Sequence, residues 1–473
     1  MMHHFISTHI SGIRLAFLFC LLFVVSFSVA CVLAPVKMSD FQELTGWEER
    51  SEYLQKLSAY PSRNVSVQYK ILGKTVKQRP IEALLIEPRK KEIQNRSKKL
   101  RIMLLAAQHG NEISGCEALM AMAGEWVRGD KLPGWMQAME LLVIPAVNPD
   151  GIENKKRVNA RGVNISTDYG RLASPEGSAI NEALLKFKPH VVLDIHESAV
   201  LKKKSLGAEG WLTDFEAQFE YANNPNIDEG LRLFCAGAMM PDILKAVQKR
   251  GLRADRYIGE ITSTTQKITH GGLSVHNLRN KAGLLGAASF LVENRLDPST
   301  GTYPTPRNIK ERARKQMLCI DVFLSVCQKY SKRLMALSEK ASKVCRRRQT
   351  VWLQPVYIQN PKSPMITIPL RRIDTSERVT HRFVYRKDIS TGPAANVPEE
   401  YRFFSHLDFF ADWLSKQGIP SASYSFKFKQ DCITVHMPGE NSCLLPIYLE
   451  ANSTSSILKR ISFDANPVRI QKK

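Results

Sequence analysis

The sequence predicts an α/β protein: a mixed, largely parallel sheet flanked by helices, followed by a smaller, β-rich α+β domain. Four short apolar runs carry the first part: Ile102–Ala107, Leu141–Ala146, Val191–Ile195 and Ser289–Val292. Each is continuous rather than alternating, as expected of strands buried on both faces. Segments of helical character, Ser114–Val127 and Ser178–Phe187, separate them, and such alternation marks α/β layering. Beyond Thr350 the texture changes to short strand-like runs around one helix, which predicts the second part.

In chain order, Leu15 to Ala34 is uncharged, and Ser28-Val29-Ala30 places small residues where a signal peptidase cuts. Three readings compete: a cleaved secretory signal, a membrane anchor retained through this segment, and lipidation of Cys31. All place the mature chain outside the cytoplasm, periplasmic, secreted or membrane-attached. The polar stretch 41–60 reads as a helix, and Val65–Leu72 with Pro80–Ile86 as a hairpin turning at Gly73-Lys74. Arg89–Arg101 is a basic loop, Trp211–Asn226 an inserted loop over the strand ends, and Pro306–Arg348 a basic helical region. Past the boundary, the strand-like runs are Val351–Ile358, Met365–Leu370, Ser423–Phe428 and Cys432–Met437, around a helix at Phe403–Gln417. The expected division is 1–34 as signal or anchor, 35–340 as the catalytic domain and 350–473 as the β-rich domain.

The 473 residues, 44% hydrophobic and 24% charged, can bury a full core, and ordinary Gly and Pro counts exclude collagen-like and wholly disordered chains. The net charge of +22 suggests polyanionic surroundings. An export signal makes an anionic envelope or acidic substrate the expected partner and excludes nucleic acid. The cysteines lack CxxC spacing, which argues against a disulfide scaffold or a Cys-type zinc site. Cys432 and Cys443 are the expected pair if a disulfide forms.

In open α/β sheets, ligands gather at the carboxyl ends of strands. Those ends read Gln108-His109-Gly110-Asn111-Glu112, Asn148-Pro149-Asp150-Gly151, Asp194-Ile195-His196-Glu197 and Glu293-Asn294-Arg295. Two imidazoles and a carboxylate, with a fourth position left for water, suit one catalytic Zn2+ per chain. His109 and Glu112, three apart at a strand-to-helix turn, can face one ion, and His196 completes the set.

These residues resemble the zinc carboxypeptidase family, the carboxypeptidase A-like metallopeptidases, over roughly residues 60–300. His109-Gly110-Asn111-Glu112 is similar to the family's HxxE motif, His196 to its third ligand, Asn148–Gly151 to its NPDG turn, and Glu293 to its late catalytic glutamate. Arg157-Val158-Asn159 and Gly162-Val163-Asn164 follow in the family's order. The resemblance implies Glu293 as general base then acid, Arg157 as oxyanion stabiliser, and Asp150 as acceptor of the outer ring N–H of His109.

Two departures stand out. Ser166 and Thr167 occupy the places of the Asn-Arg pair that clamps a substrate carboxylate, and hydroxyls cannot replace a guanidinium fork. Arg161 or Arg171 is expected to supply the charge, with Asn159 nearby, or the substrate lacks a carboxylate there. The family's substrate-contacting Tyr is also missing near Lys267–Gly272, leaving Tyr257, His270 and His276 as stand-ins. The implied function is a zinc metallopeptidase acting on peptides, wall-derived ones included. The alternatives are an amidohydrolase of N-acyl amino acids, similar to aspartoacylase and desuccinylase, and an inactive binding protein for anionic envelope polymers.

Overall fold

The computed structural model describes residues 32–89, 98–129, 133–198, 205–295, 308–425, 431–437, 439, 441, 443–450, 452–458 and 468–470. The N-terminal segment through Cys31, most of the basic loop after Arg89, and Lys202–Lys204 therefore lie outside the described residues. Among the described residues no helix is long and apolar enough to cross a membrane.

Eight strands form the central sheet: β1 (Val65–Lys74), β2 (Pro80–Pro88), β3 (Leu100–Ala106), β4 (Met139–Ile144), β5 (Val191–Ser198), β7 (Ala217–Tyr221), β8 (Ala254–Arg256) and β9 (Ala288–Arg295), with β6 (Trp211–Thr213) outside it. Their order is β1-β2-β4-β3-β5-β9-β7-β8. β4, β3, β5 and β9 run parallel, while β2 and β7 flank them antiparallel. All four parallel strands come from the continuous apolar runs, and their inward residues, such as Leu104, Val143, Leu193 and Phe290, are fully buried. Helix α1 (Ser114–Arg128), α2 (Pro175–Phe187), α3 (Leu278–Leu284), α4 (Ile309–Lys329) and α5 (Ser331–Arg346) cover the faces. From β3 the chain crosses to β4 on one side, while β5 lies on the other. The crevice for a ligand therefore opens between the ends of β3 and β5.

Three expectations are corrected. The hairpin turns at Thr75–Arg79, where Thr75 donates to Arg79, and Gly73 instead marks a register shift in β1. A Cβ there would come within 2.8 Å of the Ala179 Cβ, so the glycine lets β1 close on α2. The segment 211–226 is no loop over the site: it supplies β6 and β7, and β7 pairs with β9 along five residues. The disulfide joins Cys345 to Cys443, a separation of 98, and Cys432 is a free, buried thiol. It ties the end of α5 to the C-terminal region.

Past α5 the chain makes small antiparallel sheets. β6 pairs with Met365–Arg372, which pairs in turn with Arg378–Val384, so the C-terminal region is stitched to the larger one by backbone hydrogen bonds.

Candidate metal centre and active site

Ala107, immediately after β3, adopts a left-handed backbone (φ 53°) that turns the chain out of the sheet. His109 and Glu112 follow on the turn into α1. Gly110 is forced by contact: a Cβ there would lie 2.0 Å from the backbone of Gly151, so the Asn148–Gly151 turn packs directly on it. His196 lies near the end of β5. His109, Glu112 and His196 are all buried, and their ligand atoms converge. His109 Nδ1 is 2.8 Å from Glu112 Oε1, His196 Nδ1 is 2.9 Å from Glu112 Oε2, and the two Nδ1 atoms are 3.3 Å apart. Ligands about 2.0–2.1 Å from a tetrahedral ion sit about 3.3 Å from one another. The donor set therefore fits a zinc ion with little movement.

The electrostatics agree. Burial would raise the Glu112 carboxyl, but His109 and His196 together hold it well below the usual carboxylate range. Burial pushes His109 down, favouring the neutral imidazole a metal needs. Burial opposes protonation of His196 too, yet Asp194 and Glu112 hold it well above its usual value. Such an imidazolium stands where a cation would, between two carboxylates.

Each imidazole has its outer nitrogen fixed. His196 Nε2 is 2.9 Å from Asp194 Oδ1. Both Asp194 oxygens accept from Gln108 Nε2 at 2.7 Å, and Gln108 Oε1 accepts from the Tyr169 hydroxyl at 2.7 Å. His109 Nε2 is 2.8 Å from Ser166 Oγ and 3.1 Å from Asn164 Oδ1. An outer N–H bonded in this way leaves Nδ1 as a lone pair for the ion.

This corrects the expected role of Asp150. Its carboxylate accepts from Arg79 Nη1 at 2.8 Å and from the Lys77 backbone at 2.9 Å, and so anchors the β1–β2 turn. Ser166, expected near substrate, instead holds His109. Asn159 is buried and organises its own loop, bonding Glu176 and the Arg161 and Val163 amides. Arg161, Thr167 and Arg171 are exposed, so neither arginine forms a buried replacement for the carboxylate clamp. His270 is buried between the Tyr257 carbonyl and the Tyr385 hydroxyl, and burial pushes its pKa down to about 3. His276 packs against Gly170 and Tyr448.

Glu293 faces His196 across the β5–β9 register. Ser198 donates to its Oε2 at 2.8 Å, and burial raises its carboxyl to about 7, with His196 opposing the shift. Arg157, half exposed, donates to Glu112 Oε1 at 2.8 Å. Tyr257 is the stand-in that senses the site: burial raises its hydroxyl, and the charges of Glu293, Arg279, Glu112 and Arg157 act on it. The sequence reading assigned Asp194, Gln108 and Asn164 no role of their own, although they stand in its motifs, and it did not name Ser198. Asp194 had one readable sign, a carboxylate inside an apolar strand, two residues from His196 and so on its face.

Comparison with known proteins agrees with this geometry. The family described as zinc carboxypeptidase, Peptidase_M14, matches residues 51–184, which include His109, Glu112, Asp150 and Arg157. Carboxypeptidase 2 of Trichophyton rubrum is 32% identical over 206 residues, covering 42% of this chain and 37% of that protein. Probable carboxypeptidase 2 of Arthroderma benhamiae is 32% identical over 206 residues, with 42% and 38% covered. The chain thus spans less than two fifths of these relatives' length. Among solved structures, a metallo-carboxypeptidase from Burkholderia cenocepacia aligns with a TM-score of 0.46 at 17% identity, covering 61% of this chain and 71% of that one. Carboxypeptidase A from Helicoverpa armigera gives 0.46 at 17%, covering 62% and 75%. Residues 51–184 are thus similar to a zinc carboxypeptidase, and the sheet brings beside them the His196 that completes a group able to hold a metal ion.

Proposed function

We propose that the chain is a zinc-dependent metallopeptidase that hydrolyses peptide or amide bonds outside the cytoplasm. One observation carries the reading: His109, Glu112 and His196 converge within bonding distance of a single ion, with Glu293 in the adjacent register position. Zinc, when bound, supplies Lewis acidity that activates water and polarises a carbonyl. The chain's own residues supply the rest. Glu293 accepts the proton of the attacking water at its carboxylate and delivers it to the leaving nitrogen. Ser198, donating to Oε2, leaves Oε1 to receive that proton. Arg157 presents a guanidinium to the oxygen on which charge develops. Asp194, Ser166 and Asn164 keep the imidazoles in one tautomer.

The test is the zinc-loaded protein against blocked peptides and acyl-amino acids, beside Glu293→Gln. The expected result is chelator-sensitive hydrolysis by the parent, and stoichiometric zinc without turnover in the variant. Full activity in Glu293→Gln would remove Glu293 from the mechanism. Zinc binding without turnover by the parent on every substrate would favour a binding protein instead.

A further inference from the structure

Asp214 follows β6 directly, where the central sheet meets the C-terminal region. Its backbone N–H donates to the Pro369 carbonyl at 2.9 Å, which holds it on that seam. The side chain is 2% exposed, and four arginines approach it. Arg253 Nε and Arg378 Nε lie 3.2 and 3.1 Å from Oδ2, while Arg295 Nη1 and Arg371 Nε lie 3.6 and 3.9 Å from Oδ1. Arg371 and Arg378 come from paired strands of the C-terminal region, Arg295 from the end of β9, and Arg253 from the residue before β8.

Arg253 has a second acid in Glu216 at 3.3 Å, which Lys315 also takes at 3.1 Å. Among the described residues, Asp214 is the one carboxylate within 4.0 Å of Arg295, Arg371 and Arg378. Three guanidiniums around one carboxylate leave two positive charges unmatched. Strand pairing sharpens the conflict, because Arg371 and Arg378 are direct cross-strand partners, a position where like charges repel. Arg295 is 6% exposed, and its Nε has no hydrogen-bond partner; nor does Asp214 Oδ1, whose two guanidinium neighbours stand too far off to donate. Water can meet a bare donor but cannot neutralise the charge. A buried excess of cations is costly and is retained where a counter-charge arrives. The cluster is open to that arrival: Arg371, Arg253 and Arg378 are 23%, 37% and 64% exposed.

We propose that Arg253, Arg295, Arg371 and Arg378 form a binding site for a phosphate-type oxyanion, either free phosphate or a phosphodiester group of an anionic polymer. One or two negative charges offset the unmatched pair, and tetrahedral oxygens can meet guanidiniums that arrive from several directions. A carboxylate offers only one planar pair of acceptors. The site is separate from the metal centre: among the described residues no hydrogen bond or ion pair joins these arginines to His109, Glu112, His196 or Glu293. It is nevertheless close, since Arg295 lies one pleat beyond Glu293 on the same face of β9, opposite Ser198. A polymer held there would lie along the edge of the metal centre.

The test is calorimetric titration of the full-length chain with inorganic phosphate, acetate and a short poly(glycerol phosphate), at equal ionic strength. It requires no turnover, so it stands apart from any assay of hydrolysis. Phosphate should bind saturably and at least about 10-fold more tightly than acetate. Arg371→Gln combined with Arg378→Gln, checked for a parental melting curve, should weaken it roughly 10- to 100-fold, the span expected for one charge-assisted contact. In the unsubstituted chain, phosphate should also slow phenylglyoxal modification of Arg371 and Arg378 several-fold, while the exposed Arg333 on α5 reacts as before. Tighter binding of the polymer than of phosphate assigns the site to the polymer, and weaker binding to the free ion; either supports the proposal. No saturable binding, acetate binding as tight as phosphate, a folded double variant with parental affinity, or no protection of the two arginines would overturn it. The protection experiment decides even if the variant does not fold.

Discussion

His196 and Glu293 stand opposite one another in adjacent parallel strands, so a member of the group able to hold a metal ion and the carboxylate proposed as base are held by the same backbone ladder. Neither can shift without breaking the pairing of β5 with β9. The spacing between His196 and Glu293 is thus set by strand geometry rather than by a loop. Around this pair the chain's polar groups divide into those that fix the imidazoles and those that face substrate, and the division can be tested residue by residue.

Asp194 is the residue that orients His196 toward Glu112. By accepting at Nε2 it forces the lone pair onto Nδ1, which points at Glu112. Asp194→Asn keeps the shape but loses the charge and offers an N–H in competition. Zinc affinity should fall about 10- to 100-fold, the usual cost of removing such a partner, with the melting curve little changed. Competitive titration against a chelator reads this directly.

Ser166 and Asn164 both reach His109 Nε2, so either alone can hold the tautomer. Ser166→Ala should weaken zinc binding by no more than a few-fold, while Ser166→Ala with Asn164→Ala should approach the Asp194→Asn loss. A large change in KM with unchanged zinc affinity would return Ser166 to the substrate side.

The four parallel strands and the ligand set were legible because buried strands are continuous apolar runs and ligands sit at their ends. β7 was not. Ala217-Gln218-Phe219-Glu220-Tyr221 alternates like a solvated strand, and Glu220 is buried because Arg256, 36 residues on, meets it. The role of Asp150 failed for a similar reason. Its capture by Arg79 depends on docking of the β1–β2 turn, which no local pattern records. The disulfide partner of Cys443 comes from 98 residues away, whereas the sequence favoured the neighbour that could close a hairpin.

That disulfide gives a stability prediction. Closing a loop of this length restricts the unfolded chain; the chain-entropy relation puts its upper value at about 5 kcal/mol, and such bridges typically contribute about 2–4 kcal/mol. Reduction, or Cys345→Ser, should lower the melting temperature measurably while Cys432→Ser leaves it close to the parent's. Peptide mapping under non-reducing conditions should recover Cys345 linked to Cys443.

Glu117 supplies a pH dependence away from the metal. It is fully buried on α1, bonded to the Thr45 amide at 2.8 Å and hydroxyl at 2.7 Å. Burial raises its carboxyl from 4.5 to about 7, against the opposing Thr45 bonds. The folded chain therefore holds this proton more tightly than the unfolded one. The resulting stability is complete below about pH 4.5 and is lost as pH rises through about 7, to the extent of about 3 kcal/mol. Glu117→Gln mimics the protonated form, accepting from the amide and donating to the hydroxyl. Denaturant midpoints measured from pH 5 to 8 should fall for the parent relative to this variant, and parallel curves would refute the assignment.

Arg157 carries the sharpest separation of roles. Its Nη1 donates to Glu112 Oε1 at 2.8 Å, and the side chain is half exposed. A cation held by Glu112 would take over that charge and weaken the ion pair, and the proposed role of the guanidinium is to meet the oxygen of the scissile carbonyl. Two consequences follow with opposite signs. Removing Arg157 removes a competitor for Glu112, so Arg157→Ala should bind zinc as tightly as the parent or more tightly. It should also lose roughly 10²–10³ in kcat, the cost of deleting one oxyanion donor. Arg157→Lys should recover little, because a point charge on a flexible stem cannot keep two aimed donors. If zinc affinity and kcat instead fall together, Arg157 serves to hold Glu112 in place, and the oxyanion must be met by another group.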